Sequence, residues 1–365
     1  MAQKINFNAG PAHMPPEVLY EASAAVRQYK KTGLSILELP HRGKEFLAII
    51  EESKALVKKL CGIGDEYEVL WLQGGGRMQF CMVPMNFAIK DKTAGYIDSG
   101  YWAHDAASYA RHYTEVLMLG SSKDSGYNHL PTLSREPAGL SYIHVTTNNT
   151  IYGTQWHSIP DMNAPLIGDM SSDIFSTKID YSKYAMFYAA VQKNLGAAGT
   201  AMVVLRKDML GGIPGSLPPM LSYAAQAKEN SILNTANVFG IYVSLLMLRW
   251  LDARGIDNIE TENKRKAALL YDAIDSSETF TAYVQEKSHR SLMNVCFTVS
   301  SPQIEKAFLE LCEKNDIIGI QGHRSAGGFR ASLYNAVTYD EVKELVRVMG
   351  EFNPNPAPPV KRTRP

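Results

Sequence analysis

The sequence predicts an α/β protein with a large domain built on a mainly parallel mixed sheet and a smaller C-terminal α/β domain. Seven short apolar runs, "YEVLWL", "GYID", "EVLML", "SYIHVTT", "PLIGDM", "MFYAAV" and "TAMVVL", recur between Tyr67 and Leu205 with helical or loop segments in the earlier gaps. Such runs fit strands buried on both faces. A chain of 365 residues is also long enough for one large domain or two unequal ones.

In chain order, an N-terminal arm (1–16) precedes "EVLYEASAAVRQYK" and "KEFLAIIEESKALVKKL", whose apolar residues recur at three- and four-residue spacing as in amphipathic helices. The strand runs follow. "VFGIYVSLLMLRWL", Val238 to Leu251, is shorter than the roughly 20 residues of a membrane span and contains Arg249, so it reads as a core helix. A second long helix runs through "ETENKRKAALLYDAI", and the boundary is expected here, with a large domain over 17–255 and a small one over 256–352. In the small domain "SLMNVCFTV", "IIGIQGH" and "GFRASLY" read as strands, and "PQIEKAFLELCEKN" and "TYDEVKELVRVMGEF" as helices. The last helix opens on a capping box, Thr338 with Glu341. The proline-rich basic tail, 353–365, is expected to be extended.

Composition narrows the partners. The 37 basic and 37 acidic side chains balance, which gives no electrostatic reason for nucleic acid or a membrane surface and points to a small-molecule ligand. The N-terminus lacks a basic-then-apolar leader, so a cytoplasmic location is expected. Cys61, Cys81, Cys296 and Cys312 have no metal-ligand spacing and sit among apolar neighbours, as reduced structural thiols do. No metal site is expected.

Four features carry chemistry in combination. In "LWLQGGGRMQF", Gly74 to Gly76 follow a strand and open a helix, a place where amides can cradle phosphate, although a tight turn alone explains the glycines. No dinucleotide or P-loop pattern accompanies them. "PLIGDMSSD" ends a strand on Asp169, which could hold a protonated ring nitrogen or simply serve as a turn residue. Lys193, in "AVQKNLGAAG", follows the next strand; singly it reads as a loop lysine, but an amine beside an Asp-anchored ring can form a Schiff base with pyridoxal phosphate. Trp102 could stack on that ring or be a core aromatic. Two arginine-histidine clusters, His41 with Arg42 and His323 with Arg324 and Arg330, suggest a dianionic substrate, with surface ion pairing as the plainer reading of each.

With "HRGKEF", "GGGRMQF", "DMSSDIFS", "QKNLGAAG", "NTANVFGIY" and "GHRSAGGFRASLYNA" in order, the sequence resembles the phosphoserine aminotransferase family of fold-type I pyridoxal-phosphate enzymes. The resemblance spans all but the tail. It implies one pyridoxal phosphate per subunit joined to Lys193 as an aldimine, Asp169 on the ring nitrogen and Trp102 stacked on the ring. It further implies Gly76, Arg77, Thr150 and Gln192 on the phosphate and ring substituents. Asn234 and Thr235 would reach the cofactor phosphate of the other subunit of a homodimer. His41, Arg42, Arg77, His323 and Arg324 would take the substrate's distal anion, and Arg330 its α-carboxylate. The implied reaction passes an amino group from glutamate to 3-phosphohydroxypyruvate, giving O-phosphoserine for serine biosynthesis; the phosphorylated four-carbon analogue of vitamin B6 synthesis is a further implied substrate. Asn149, Ala197, Ala236 with Asn237, and Ala9 depart from the family pattern without removing a catalytic group. A lyase or cysteine desulfurase of the same fold, and a non-catalytic phosphate-ligand binding protein, are the alternatives.

Overall fold

The computed structural model describes residues 4–88 and 92–354, so 355–365 of the expected tail lie outside the described residues. The helices are α1 (Pro16–Arg27), α2 (Lys44–Cys61), α3 (Gly75–Phe87), α4 (Tyr101–Ala110), α5 (Tyr223–Lys228), α6 (Val238–Arg254), α7 (Ile256–Asp275), α8 (Pro302–Lys314) and α9 (Tyr339–Glu351). The strands are β1 (Ile5–Asn6), β2 (Tyr67–Gln73), β3 (Ala94–Asp98), β4 (Val116–Ser121), β5 (Ile143–Thr146) and β6 (Leu166–Asp169). They continue as β7 (Met186–Ala190), β8 (Thr200–Arg206), β9 (Thr281–Ala282), β10 (Asn294–Thr298), β11 (Ile317–Ile318) and β12 (Phe329–Ser332).

The expected mainly parallel mixed sheet is present, in the order β2-β8-β7-β6-β5-β3-β4. Pairs from β7 through β4 are parallel, whereas β8 runs antiparallel to both β7 and β2. Because β8 alone is reversed, β2, β3, β5, β6 and β7 all end at one edge, where β8 begins. That is the edge at which sheets of this kind receive ligands.

Both sheet faces are covered. Val69, Trp71, Val145 and Val204 share one core with residues of α1, α2 and α6. Leu70, Leu72, Tyr188 and Val203 share another with residues of α3, α4 and α5. The alternation along β2 and β8 is therefore between two apolar layers, which is why these strands read as continuous apolar runs. Helix α6 is buried around most of its circumference, as its unbroken hydrophobicity foretold.

A third core joins α7, α8 and α9 to the antiparallel sheet β12-β10-β9. The N-terminal arm belongs physically with this core: β1 pairs in parallel with β11, and Phe7 is buried among its residues. Helix α7 links the layers, with Ile259 in the first core and Ala267, Leu270 and Ile274 in the third. The run "IIGIQGH" forms a strand only over Ile317–Ile318, followed by a single bridge from Gln321 to Phe329, because Gly319 takes a left-handed φ of 78°.

Candidate active site

Asp169 is the last residue of β6, and Lys193 stands three residues beyond β7, the next strand in the sheet. Strand adjacency thus brings together two residues 24 positions apart in the sequence. The turn after β2 supplies the third part. Gly74 and Gly75 have φ of 96° and 68°, so the chain reverses into α3 through conformations that only glycine adopts readily. Gly76 is close-packed: a Cβ there would meet Ser171 Oγ at 3.3 Å and Ala190 Cβ at 3.4 Å.

These three pieces line one cavity of about 350 Å³, together with Arg77, Phe80, Trp102, Ser171, Ala190, Gln192, Ala198 and Gly199. Lys193 Nζ donates to Thr150 Oγ1 at 2.7 Å. Asp169 Oδ1 accepts from the backbone N–H and the hydroxyl of Ser171, at 3.0 and 2.6 Å. Arg77 pairs with Asp105 at 3.2 Å and lies over the Trp102 ring, 5.1 Å from its centroid. Three buried polar atoms around the site have no protein partner: Trp102 Nε1, Gln192 Oε1 and Arg330 Nε. Buried groups of this kind normally have one, so they mark a place for a polar ligand.

The electrostatics follow from burial. Desolvation pulls the Lys193 ammonium down to about 8, with the Arg330 charge acting in the same direction and Asp169 and Asp173 opposing it. Desolvation likewise pushes the Asp169 carboxyl above its ordinary range, against the pull of Lys193 and of the Ser171 hydrogen bonds. Asp173 lies behind Asp169. Its carboxylate accepts from Thr147 Oγ1 at 2.6 Å, and burial raises it to about 6.

Arg330 projects from β12 and donates to the Thr150 carbonyl at 3.2 Å, so the C-terminal core reaches the residue that holds Lys193. His323 lies beside Tyr101, with ring centroids 5.9 Å apart, and feels the charges of both Arg330 and Arg324. The other expected binding residues stand elsewhere. Arg42 donates to the Ile232 carbonyl at 3.2 Å, and Gln73 donates to the Thr235 carbonyl at 2.8 Å. Asn234 lines a second cavity of about 330 Å³ with Gln73, Gly74, Met78 and Met220. His41, Arg42, Asn234 and Thr235 do not line the Lys193 cavity of their own chain.

Sequence reasoning passed over Ser171, the clamp on Asp169, whose signal was the serine pair directly after a strand-ending aspartate. It also passed over Asn194, which accepts from the Asn335 backbone N–H at 3.0 Å and donates to the Ser172 carbonyl at 3.1 Å. That residue ties the segment carrying Lys193 to the loop before α9.

The aminotransferase class-V family model matches residues 5–345. The phosphoserine aminotransferase of Geobacillus kaustophilus is 42% identical, covering 96% of this chain and 99% of that protein. That of Flavobacterium johnsoniae is 44% identical, covering 95% and 98%. The chain belongs to the phosphoserine aminotransferases of class V. Among solved structures, the phosphoserine aminotransferase of Bacillus circulans subsp. alkalophilus superposes with a TM-score of 0.92 at 41% identity, over 95% of this chain and 98% of that one. The pyridoxal-phosphate-bound phosphoserine aminotransferase of Trichomonas vaginalis gives 0.89 at 30% identity, over 96% and 100%.

This aminotransferase is pyridoxal-phosphate dependent, and the residues present fit the cofactor. An amine, a buried carboxylate, a glycine turn with no room for a side chain and an aromatic ring converge on one cavity with unpaired polar atoms. The thiols suit a structural role: burial pushes Cys296 and Cys312 up to about 12 and raises Cys61 and Cys81. Among the described residues no helix is long and apolar enough to cross a membrane.

Proposed function

We propose that this transaminase moves an amino group between glutamate and 3-phosphohydroxypyruvate, giving O-phosphoserine and 2-oxoglutarate. The observation that carries the reading is the Lys193 amine, its charge destabilised by burial, set against Asp169 and within the field of Arg330. Pyridoxal phosphate, when bound, supplies an aldehyde for the amine and a ring that accepts an electron pair. Lys193 Nζ would accept the proton from the substrate α-carbon and later return one, which needs a neutral amine near physiological pH.

Asp169 would hold the proton on the ring nitrogen by a charge-assisted hydrogen bond, and Ser171 holds Asp169. Trp102 would cover the ring, and the amides after Gly74 would receive the phosphate with Gly76, Arg77, Thr150 and Gln192 beside it. Arg330 binds the α-carboxylate, using the buried Nε that has no protein partner. His323 and Arg324 take the distal anion, together with His41, Arg42 and Arg77.

His41 and Arg42 would bind the distal anion, and Asn234 and Thr235 the cofactor phosphate, in the neighbouring subunit of a homodimer. Support comes from the apolar surface around them: Leu37, Met78 and Met220 are 62%, 39% and 45% exposed, a cost that a subunit interface would remove. Lys193→Ala should abolish amino transfer from glutamate and the visible absorbance that the wild-type protein gains from the cofactor. Wild-type turnover in that variant would refute the assignment.

A further inference from the structure

His323 Nδ1 accepts from two donors. The Ser325 backbone N–H lies 3.3 Å from it, and Ser325 Oγ lies 2.7 Å from it. A backbone N–H can only donate, so Nδ1 must present its lone pair, and the ring proton must then sit on Nε2. The hydroxyl of Ser325 must also donate to Nδ1, which leaves its oxygen to accept; Tyr152 Oη supplies a donor at the long distance of 3.4 Å. The ring is thereby left with Nε2–H as the donor it can offer. Among the described residues no protein group takes Nε2.

Protonating this imidazole would place a hydrogen on Nδ1 against the Ser325 N–H. The charged groups around the ring act in the same sense, since burial and the guanidinium charges of Arg330 and Arg324 lower its affinity for a proton. Tyr101 packs beside it from α4, and Tyr152, after β5, reaches Ser325; neither is a carboxylate that would favour imidazolium.

Resting on the functional reading above, we propose that Ser325 is a positioning residue that fixes His323 as a neutral Nε2–H donor, so the distal anion of the substrate is met there by an oriented hydrogen bond and not by a second cation. Charge neutralisation then falls to the arginines alone. A position that reads γ-carboxylate and phosphate in turn gains from this, because a neutral donor suits either anion.

The test is the KM for glutamate across pH 6 to 8, because both glutamate carboxylates stay ionised above about pH 5. His323→Gln carries an amide N–H where Nε2–H stands, and its KM should follow the same pH profile as wild type between pH 6 and 8. Ser325→Ala should raise KM about fivefold with kcat retained, through loss of one oriented donor, and Ser325→Thr should restore it. A wild-type KM that climbs from pH 6 to pH 8, and stops climbing in His323→Gln, would make imidazolium the working form and overturn the inference. An unchanged KM in Ser325→Ala would overturn the role of Ser325. If the wild-type holoenzyme takes no amino group from glutamate at all, the functional reading fails first, and the inference with it.

Discussion

Lys193 can attack an aldehyde or accept a carbon-bound proton only as a neutral amine, so the fall of its pKa to about 8 sets the pH at which it works. The sign is fixed by the cause: burial disfavours the ammonium, and the amine fraction rises as pH passes through the folded-state value. When cofactor-free protein is mixed with pyridoxal phosphate, the rate of colour development should rise from pH 6 and level off a little above pH 8. A rate still climbing at pH 10 would mean an ordinary, solvated lysine. The sequence made Lys193, Asp169 and the glycine run visible because each ends an apolar strand. It left Ser171 and the Thr150 contact to Lys193 unread as a geometry, because both depend on loops whose paths are set by tertiary packing and not by local pattern.

Among the elements, α6 shows how a departure in sequence acquires a physical account. Asn237 departs from the family pattern, and in the structure it is the N-cap of α6: its Oδ1 accepts from the Gly240 N–H at 3.0 Å while its Nδ2 donates to Thr200 Oγ1 at 3.2 Å. The same side chain satisfies an orphan helix donor and fastens α6 to the start of β8, beside Gly199 at the rim of the site. Asn237→Ala should cost about 1 kcal/mol of stability, read as a lower urea midpoint for the transition that unfolds the large sheet. An unshifted midpoint would show that water replaces the cap at no cost. Strand and helix order was legible wherever period and length agreed, as in α2, α9 and β2 to β8. The two-residue strands β1 and β9 were not, since two residues show no period and their pairing is set by distant segments, whereas β11 was read as a strand but longer than it is.

For the whole molecule, the decisive question is why His41, Arg42, Asn234 and Thr235 lie together yet away from the Lys193 cavity of their own chain. The proposed isologous pairing of two subunits would resolve it, because a surface that meets its own copy can place each subunit's set over the other's cavity. The proposal makes a quantitative prediction with two inactive proteins. Lys193→Ala and Arg42→Ala should each lose amino transfer, the first wholly and the second in its use of phosphorylated substrate. In a hybrid dimer one site combines both lesions, while the other has the intact lysine of one subunit and the intact arginine of its partner. Denaturing the two variants together and refolding should therefore restore about a quarter of wild-type activity, since half the dimers are hybrids with one good site of two. No recovery, with hybrids shown to form by a size or charge tag, would confine each site to a single chain and leave the 42 and 234 loops without a catalytic part.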